Sequence, residues 1–263
     1  MKMTTSGYFF LAFLLFFFFY HAAEYFVVFT YQPILFFGCQ IAFLLAAFLL
    51  GKRKYPNGFK TWGLYGGNNL GIELGIGAIL GFLLYFTPFV ICLSLGLERI
   101  QSLPSFTEFF QLGGIMFFGL FFSSLSEDIL TRGVIFARFR NRLNPIFLVF
   151  LSSIVYYLNH IYRYFDGFET FLYLFLLGVI LYLVILLTNR LWMTVMIHWV
   201  GNSTFYATHQ LIQVYPVSTS FGFNQMLIAT ELVFIFVLSL IYYFKSQNGE
   251  EIVDESFLEQ ELN

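Results

Sequence analysis

The sequence predicts an all-α, polytopic membrane protein with eight transmembrane helices, and three observations carry that reading. First, 59% of the 263 residues are hydrophobic and only 11% are charged, whereas a soluble domain carries about 25% charged residues. Second, the apolar residues, 39 Phe among them, fall in runs near the ~20 residues that cross a bilayer. Third, the cations alternate between loops as a membrane topology requires. A strongly charged nucleic-acid binder is excluded, because the formal net charge is only −2. That small value conceals an asymmetry. Residues 1–244, read as one integral membrane domain, hold 12 Lys/Arg against nine Asp/Glu, and residues 245–263 hold one Lys against six acids. The latter segment is expected to be a solvated cytoplasmic tail, repelled by anionic lipid.

In chain order the spans are Tyr8–Phe29, Ile34–Leu50, Leu70–Leu95, Leu112–Arg138, Pro145–His160, Phe168–Leu187, Trp192–Val214 and Gln225–Phe244. The first run follows Lys2 like a secretory signal, but His21-Ala22-Ala23 is a poor cleavage site, so it is read as a retained helix. Gln32-Pro33 turns the chain into span two, and the polar stretch Lys52–Gly58 leads out of it. Asn141–Pro145 separates spans four and five, and Thr188-Asn189-Arg190 separates six and seven. With the N-terminus cytoplasmic, 11 cations fall on inner segments and only Arg99 and Arg163 fall outside. Both termini are therefore expected in the cytoplasm, with the protein in the cell membrane. Cys39 and Cys92 sit inside apolar runs and indicate neither a disulfide nor a zinc knuckle.

Ionisable residues inside a membrane are costly unless paired or hydrated, so each is a functional candidate. His21 and Glu24 are three apart and read as a structural pair. Glu73 opens a helix, where a carboxylate suits the positive end of the dipole. Glu231 stands alone in span eight. His209, about three turns after His198, is expected to line a cavity or interface. The glycines of span three (Gly71, Gly75, Gly77, Gly81) read as close helix packing rather than as a transporter's broken helix.

Four residues converge. Glu127 and His160 lie almost equally far from the turn between spans four and five, roughly 24–26 Å of helix, so they can face each other at one depth. Arg138, Arg140 and Arg142 extend span four beyond the bilayer and set that depth toward the cytoplasmic half. His198 and Asn202 are four apart and share a helix face; Asp128 and Arg132 have the same spacing and read as a pair. A Glu assisted by a His can take a proton from water, while a neutral His and an Asn can donate to the oxyanion of a tetrahedral intermediate. That is the chemistry of amide hydrolysis. Glu127, His160 and His198 could equally hold a divalent metal such as zinc with an open position for water. A polar helix-packing network is the bland alternative.

Glu127-Asp128-Ile129-Leu130-Thr131-Arg132-Gly133 resembles the EExxxR-Gly motif of the CPBP intramembrane proteases, the CAAX-protease and bacteriocin-processing (Abi) family. Tyr156–His160 resembles its FxxxH motif and His198–Asn202 matches its HxxxN motif, the likeness spanning about residues 112–205. The resemblance implies that Glu127 and His160 activate the attacking water and that His198 and Asn202 form the oxyanion hole. Arg132 would then be a structural partner beside the site. Asp128 replaces the second Glu and shortens it by a methylene; Tyr156 replaces Phe and adds a hydroxyl that needs a partner. No cofactor is expected. The substrate would be a peptide or a membrane protein, and the compact chain without targeting extensions looks bacterial. A competing expectation is a non-catalytic regulator, binding a membrane partner such as a sensor kinase, or a bacteriocin-immunity protein.

Overall fold

A computed structural model describes residues 5–217 and 221–248; Lys2 and nearly all of the acidic tail lie outside them. The element order is α1 (Thr5–Val28), α2 (Pro33–Gly51), α3 (Leu70–Ser94), β1 (Glu98–Ser102), α4 (Phe106–Asp128), α5 (Val134–Phe139), α6 (Pro145–Asn159), α7 (Phe168–Thr188), α8 (Trp192–Tyr206), β2 (Gln213–Pro216) and α9 (Phe223–Gln247). A π-turn, Ile129–Gly133, joins α4 to α5, and a second, Ala207–Leu211, extends α8.

Six of these helical stretches, with α4 and α5 counted as one 34-residue rod, are long and apolar enough to cross a membrane. The protein is thus a polytopic helical membrane protein. Helix α6, with 15 residues, is apolar but shorter, about 22 Å of rise. One expected boundary is corrected. Span seven does not run as helix to Val214: Ile212 is extended, and Gln213–Pro216 pairs antiparallel with Glu98–Ser102. This ribbon is a small departure from the all-helical expectation.

The ribbon marks one end of the bundle. At the other end lie the 52–60 connector, Arg138–Arg142, Arg190 and Lys245, tied together by Arg138 to Ser6 (3.2 Å), Arg190 to Glu73 (3.0 Å) and Lys245 to the Leu187 carbonyl (3.2 Å). Glu73 therefore has a cationic partner 117 residues away, beyond the helix-dipole role its position predicted.

Helix α7 is the central rod. Ile180, Leu181, Tyr182, Val184 and Ile185 are fully buried on successive faces, as expected of a helix apolar all round. Glycines set the closest approaches. A Cβ on Gly81 would lie 2.4 Å from the Ile197 carbonyl oxygen, and one on Gly77 2.8 Å from that of Met193, so α3 and α8 touch backbone to backbone. The two glycines are one turn apart on one face, whereas Gly71 and Gly75 have open space beside them. Small residues permit such contact where lipid offers no hydrophobic drive between helices. Two apolar clusters result, one built on α1, α2, α4 and α5 and one on α3, α7, α8 and α9. The candidate site lies where they meet.

Candidate active site

Glu127 and Asp128 are the final two residues of α4, and both are buried. The π-turn that follows would strand backbone groups in an apolar medium. Side chains take them up: Thr131 Oγ1 donates to the Glu127 carbonyl (2.8 Å), and Ser152 Oγ donates to the Thr131 carbonyl (3.3 Å). The end of α4 is thereby pinned to α6.

Helix α6 stops at Asn159, and His160 leaves the helical conformation with φ −84° and ψ 56°. Its Nδ1 lies 2.8 Å from the Tyr156 carbonyl, a last-turn acceptor without a helical donor. A carbonyl only accepts, so Nδ1 carries the proton and neutral His160 presents the lone pair of Nε2. That nitrogen lies 3.7 Å from Glu127 Oε1. The same carboxylate oxygen accepts from Asn159 Nδ2 at 3.0 Å.

On α8, His198 sits between two carboxylates. Its Nδ1 lies 3.2 Å from Asp128 Oδ1, and its Nε2 lies 3.6 Å from Glu127 Oε2. The Tyr156 hydroxyl is 3.4 Å from Nε2, which is the partner this extra oxygen needs. With Nδ1–H directed at Asp128, neutral His198 accepts at Nε2 and cannot donate there; only the imidazolium donates from both nitrogens. The expectation of a neutral His as oxyanion donor is corrected on this ground. Asn202, one turn further along α8, directs its amide at Ser124 Oγ (3.4 Å).

Asp128 and Arg132 are bonded, both fully buried, and Arg132 Nη1 also reaches Thr131 Oγ1 at 3.0 Å. The Arg132 guanidinium lies over the Tyr156 ring, 4.3 Å from its centroid. Asp128 thus accepts from two donors at once, the guanidinium of Arg132 and the Nδ1–H of His198. The shorter side chain still reaches both.

These groups border a cavity of about 390 Å³ lined by Glu127, Tyr156, His160, His198 and Asn202. Tyr20, Tyr85, Tyr173 and Arg163 add to its polar wall. Its more exposed lining residues, Phe205 and Asn224, lie at the ribbon end. The chamber therefore opens away from the basic end, whereas the extension of span four by Arg138, Arg140 and Arg142 had set the expected depth of the site toward that end. Among the described residues, no group of three His, Cys, Asp or Glu side chains is arranged to hold a metal ion.

Other candidates lie elsewhere. His21 pairs with Glu24 at 3.1 Å. His209 faces Glu98 at 3.6 Å and stacks on Phe205, behind the cavity wall rather than inside it. Glu231 is fully buried with no hydrogen-bond partner on either oxygen. Sequence reading missed Asn159, Ser124 and Tyr20. Asn159 had one usable signal, an amide beside His160 at the end of an apolar run.

Motif, geometry and family now coincide on one segment. Residues 110–204 match the family model described as type II CAAX prenyl endopeptidase Rce1-like. Over that segment the chain is similar to the CAAX intramembrane proteases, a family of peptide hydrolases. No curated protein matches the sequence.

Proposed function

We propose that this protein is an intramembrane endopeptidase in which Glu127 and His160 activate water and His198 and Asn202 stabilise the oxyanion. The observation that carries the reading is the convergence of Glu127 with both imidazoles, at 3.6 and 3.7 Å, on the wall of one buried cavity. Glu127, steadied by the Asn159 amide, takes a proton from the attacking water with Nε2 of His160 beside it. Oxygen adds to the scissile carbonyl, and the negative charge that develops is met by imidazolium at His198 and the amide of Asn202. The proton held by the Glu127–His160 pair then passes to the leaving amine as the C–N bond breaks. Asp128 and Arg132 hold His198 in place.

We read the eight helical rods among the described residues as membrane elements, with the basic end and both termini in the cytoplasm of a bacterial cell. The cavity mouth then faces the opposite side, so the substrate is a peptide or membrane-protein segment reached from the outer half of the bilayer. The test is Glu127→Gln, which keeps size and hydrogen bonding but removes basicity. In a comparison of membrane peptide profiles it should abolish cleavage while leaving expression intact, and His160→Ala should match it. Full biological function in both variants would replace the enzyme with a binding partner.

A further inference from the structure

Two further cavities lie at the basic end, remote from the cleavage chemistry. One, of about 230 Å³, is lined by Lys54, Arg138, Arg140 and Arg142, with Thr5 and Phe9 among the remaining residues. Four cations, Arg138 from the end of α5 and the others from two connecting segments, face one volume, and no carboxylate is among the described residues that line it. The other, of about 400 Å³, is almost wholly apolar, with Phe10, Phe13, Ile135, Leu151 and Val155 in its walls. Both cavities share Phe9 and Arg138. A charged chamber thus continues into a greasy one across Phe9 and the charged side chain of Arg138.

Arg138 has an open donor. Arg138 Nη2 is engaged by Ser6 Oγ at 3.2 Å, but Nη1 is buried with no hydrogen-bond partner. Lys54 and Arg140 make further interactions of their own, so the vacant position belongs to Arg138. A buried guanidinium N–H left unmade is costly, and phosphate matches its fork geometry. The apolar chamber has the complementary requirement. Phe10 on its rim is 65% exposed, which on a membrane-spanning helix places it against lipid.

We propose that the two cavities form one binding site for an anionic phospholipid, its phosphate on Arg138 and Arg142 and an acyl chain along Phe10, Phe13, Leu151 and Val155. A ligand with only a charged head leaves the apolar chamber unused, and a zwitterionic lipid brings a cationic headgroup against four cations. Basic pockets between helices on the cytoplasmic side are suited to anionic headgroups.

The test uses the full-length protein in neutral detergent, titrated with phosphatidylglycerol, with phosphatidylcholine of the same chains, and with inorganic phosphate. Binding is read by native mass spectrometry and by the rise in melting temperature. Phosphatidylglycerol should bind with one-to-one stoichiometry and at least about tenfold more tightly than phosphatidylcholine, the worth of one charge-assisted hydrogen bond. Inorganic phosphate alone should give no comparable shift. Arg138→Gln should lose about tenfold in phosphatidylglycerol affinity, and Arg142→Gln, at an exposed position, should lose affinity without disturbing the fold. Equal binding of both lipids would reduce the site to annular lipid and overturn the proposal. So would a full response to phosphate alone, or affinity unchanged in both variants. A lipid response seen only after truncation beyond residue 248 would overturn it as well, and would make the acidic tail the occupant.

Discussion

Asp128 stands where the EExxxR motif that this segment resembles has its second Glu, and Asp128→Asn isolates what its charge does. The amide oxygen can still accept from Nδ1 of His198 across the 3.2 Å now spanned, so ring orientation survives while the negative charge is lost. A hydrogen bond to a charged group contributes about 1.5–3 kcal/mol. At about 1.36 kcal/mol per decade, losing it when His198 carries the transition-state charge lowers kcat by roughly 10- to 150-fold. KM should hold, since the interaction acts mainly on the transition state. A separate cost falls on folding. Arg132 is fully buried, and stripping a buried ion of its partner costs about 3–5 kcal/mol, so the melting temperature should drop as well. The assay is steady-state cleavage of a quenched-fluorescence peptide in lipid nanodiscs, normalised to folded protein, with Asp128→Glu beside it. Glu restores the charge on a longer arm and should recover part of kcat. Wild-type kcat in folded Asp128→Asn would refute the assignment of imidazolium to His198.

Three further outcomes are expected. Asn202→Ala should lower kcat by about 10²–10³ with little change in KM, the usual cost of one oxyanion donor; a changed KM with normal kcat would move Asn202 to substrate binding. Metal analysis of the purified protein should find no stoichiometric metal and cleavage should resist chelators, whereas His198→Ala activity recovered by added divalent ion would indicate a metal-centred site. Cysteines placed at Lys54 and Arg140 should label only from the cytoplasmic side and those at Arg99 and Arg163 only from outside; labelling of position 140 from outside would invert the topology and the direction of the cavity mouth.

Much of this architecture was legible because long apolar runs leave the chain few alternatives. Glu127 and His160 could be paired by counting, since a hairpin of two straight rods converts equal sequence distance into equal depth. The ribbon was not legible. Gln213-Val214 continues an apolar stretch, and periodicity alone cannot tell where such a run stops being helix; the opposing strand, Glu98–Ser102, lies more than 100 residues earlier. Glu73 and Arg190 escaped for the same reason. The tautomer at His198 depended on which nitrogen faces Asp128, a matter of helix rotation that residue spacing does not determine. Nor could spacing show Asn159 bonding to Glu127, because the helix ends between Asn159 and His160 and swings the two side chains apart from regular positions.

The π-turn at Ile129–Gly133 has a consequence for the whole rod. Its closing bond runs from the Val134 N–H back to the Ile129 carbonyl, one residue further than an α-helix allows. Each such extra residue advances everything beyond it by about 100° of azimuth. The rod therefore has two phases, one aiming Glu127 and Asp128 into the hydrolytic chamber and the other aiming Arg138 toward Ser6 and the basic cavity. A uniform helix of the same sequence would satisfy one of these bearings and miss the other by more than a quarter turn. Removing one residue between 129 and 133 would put both halves in a single phase. The chain would keep its length across the bilayer almost unchanged and lose the alignment between its chemistry and its seat at the membrane surface.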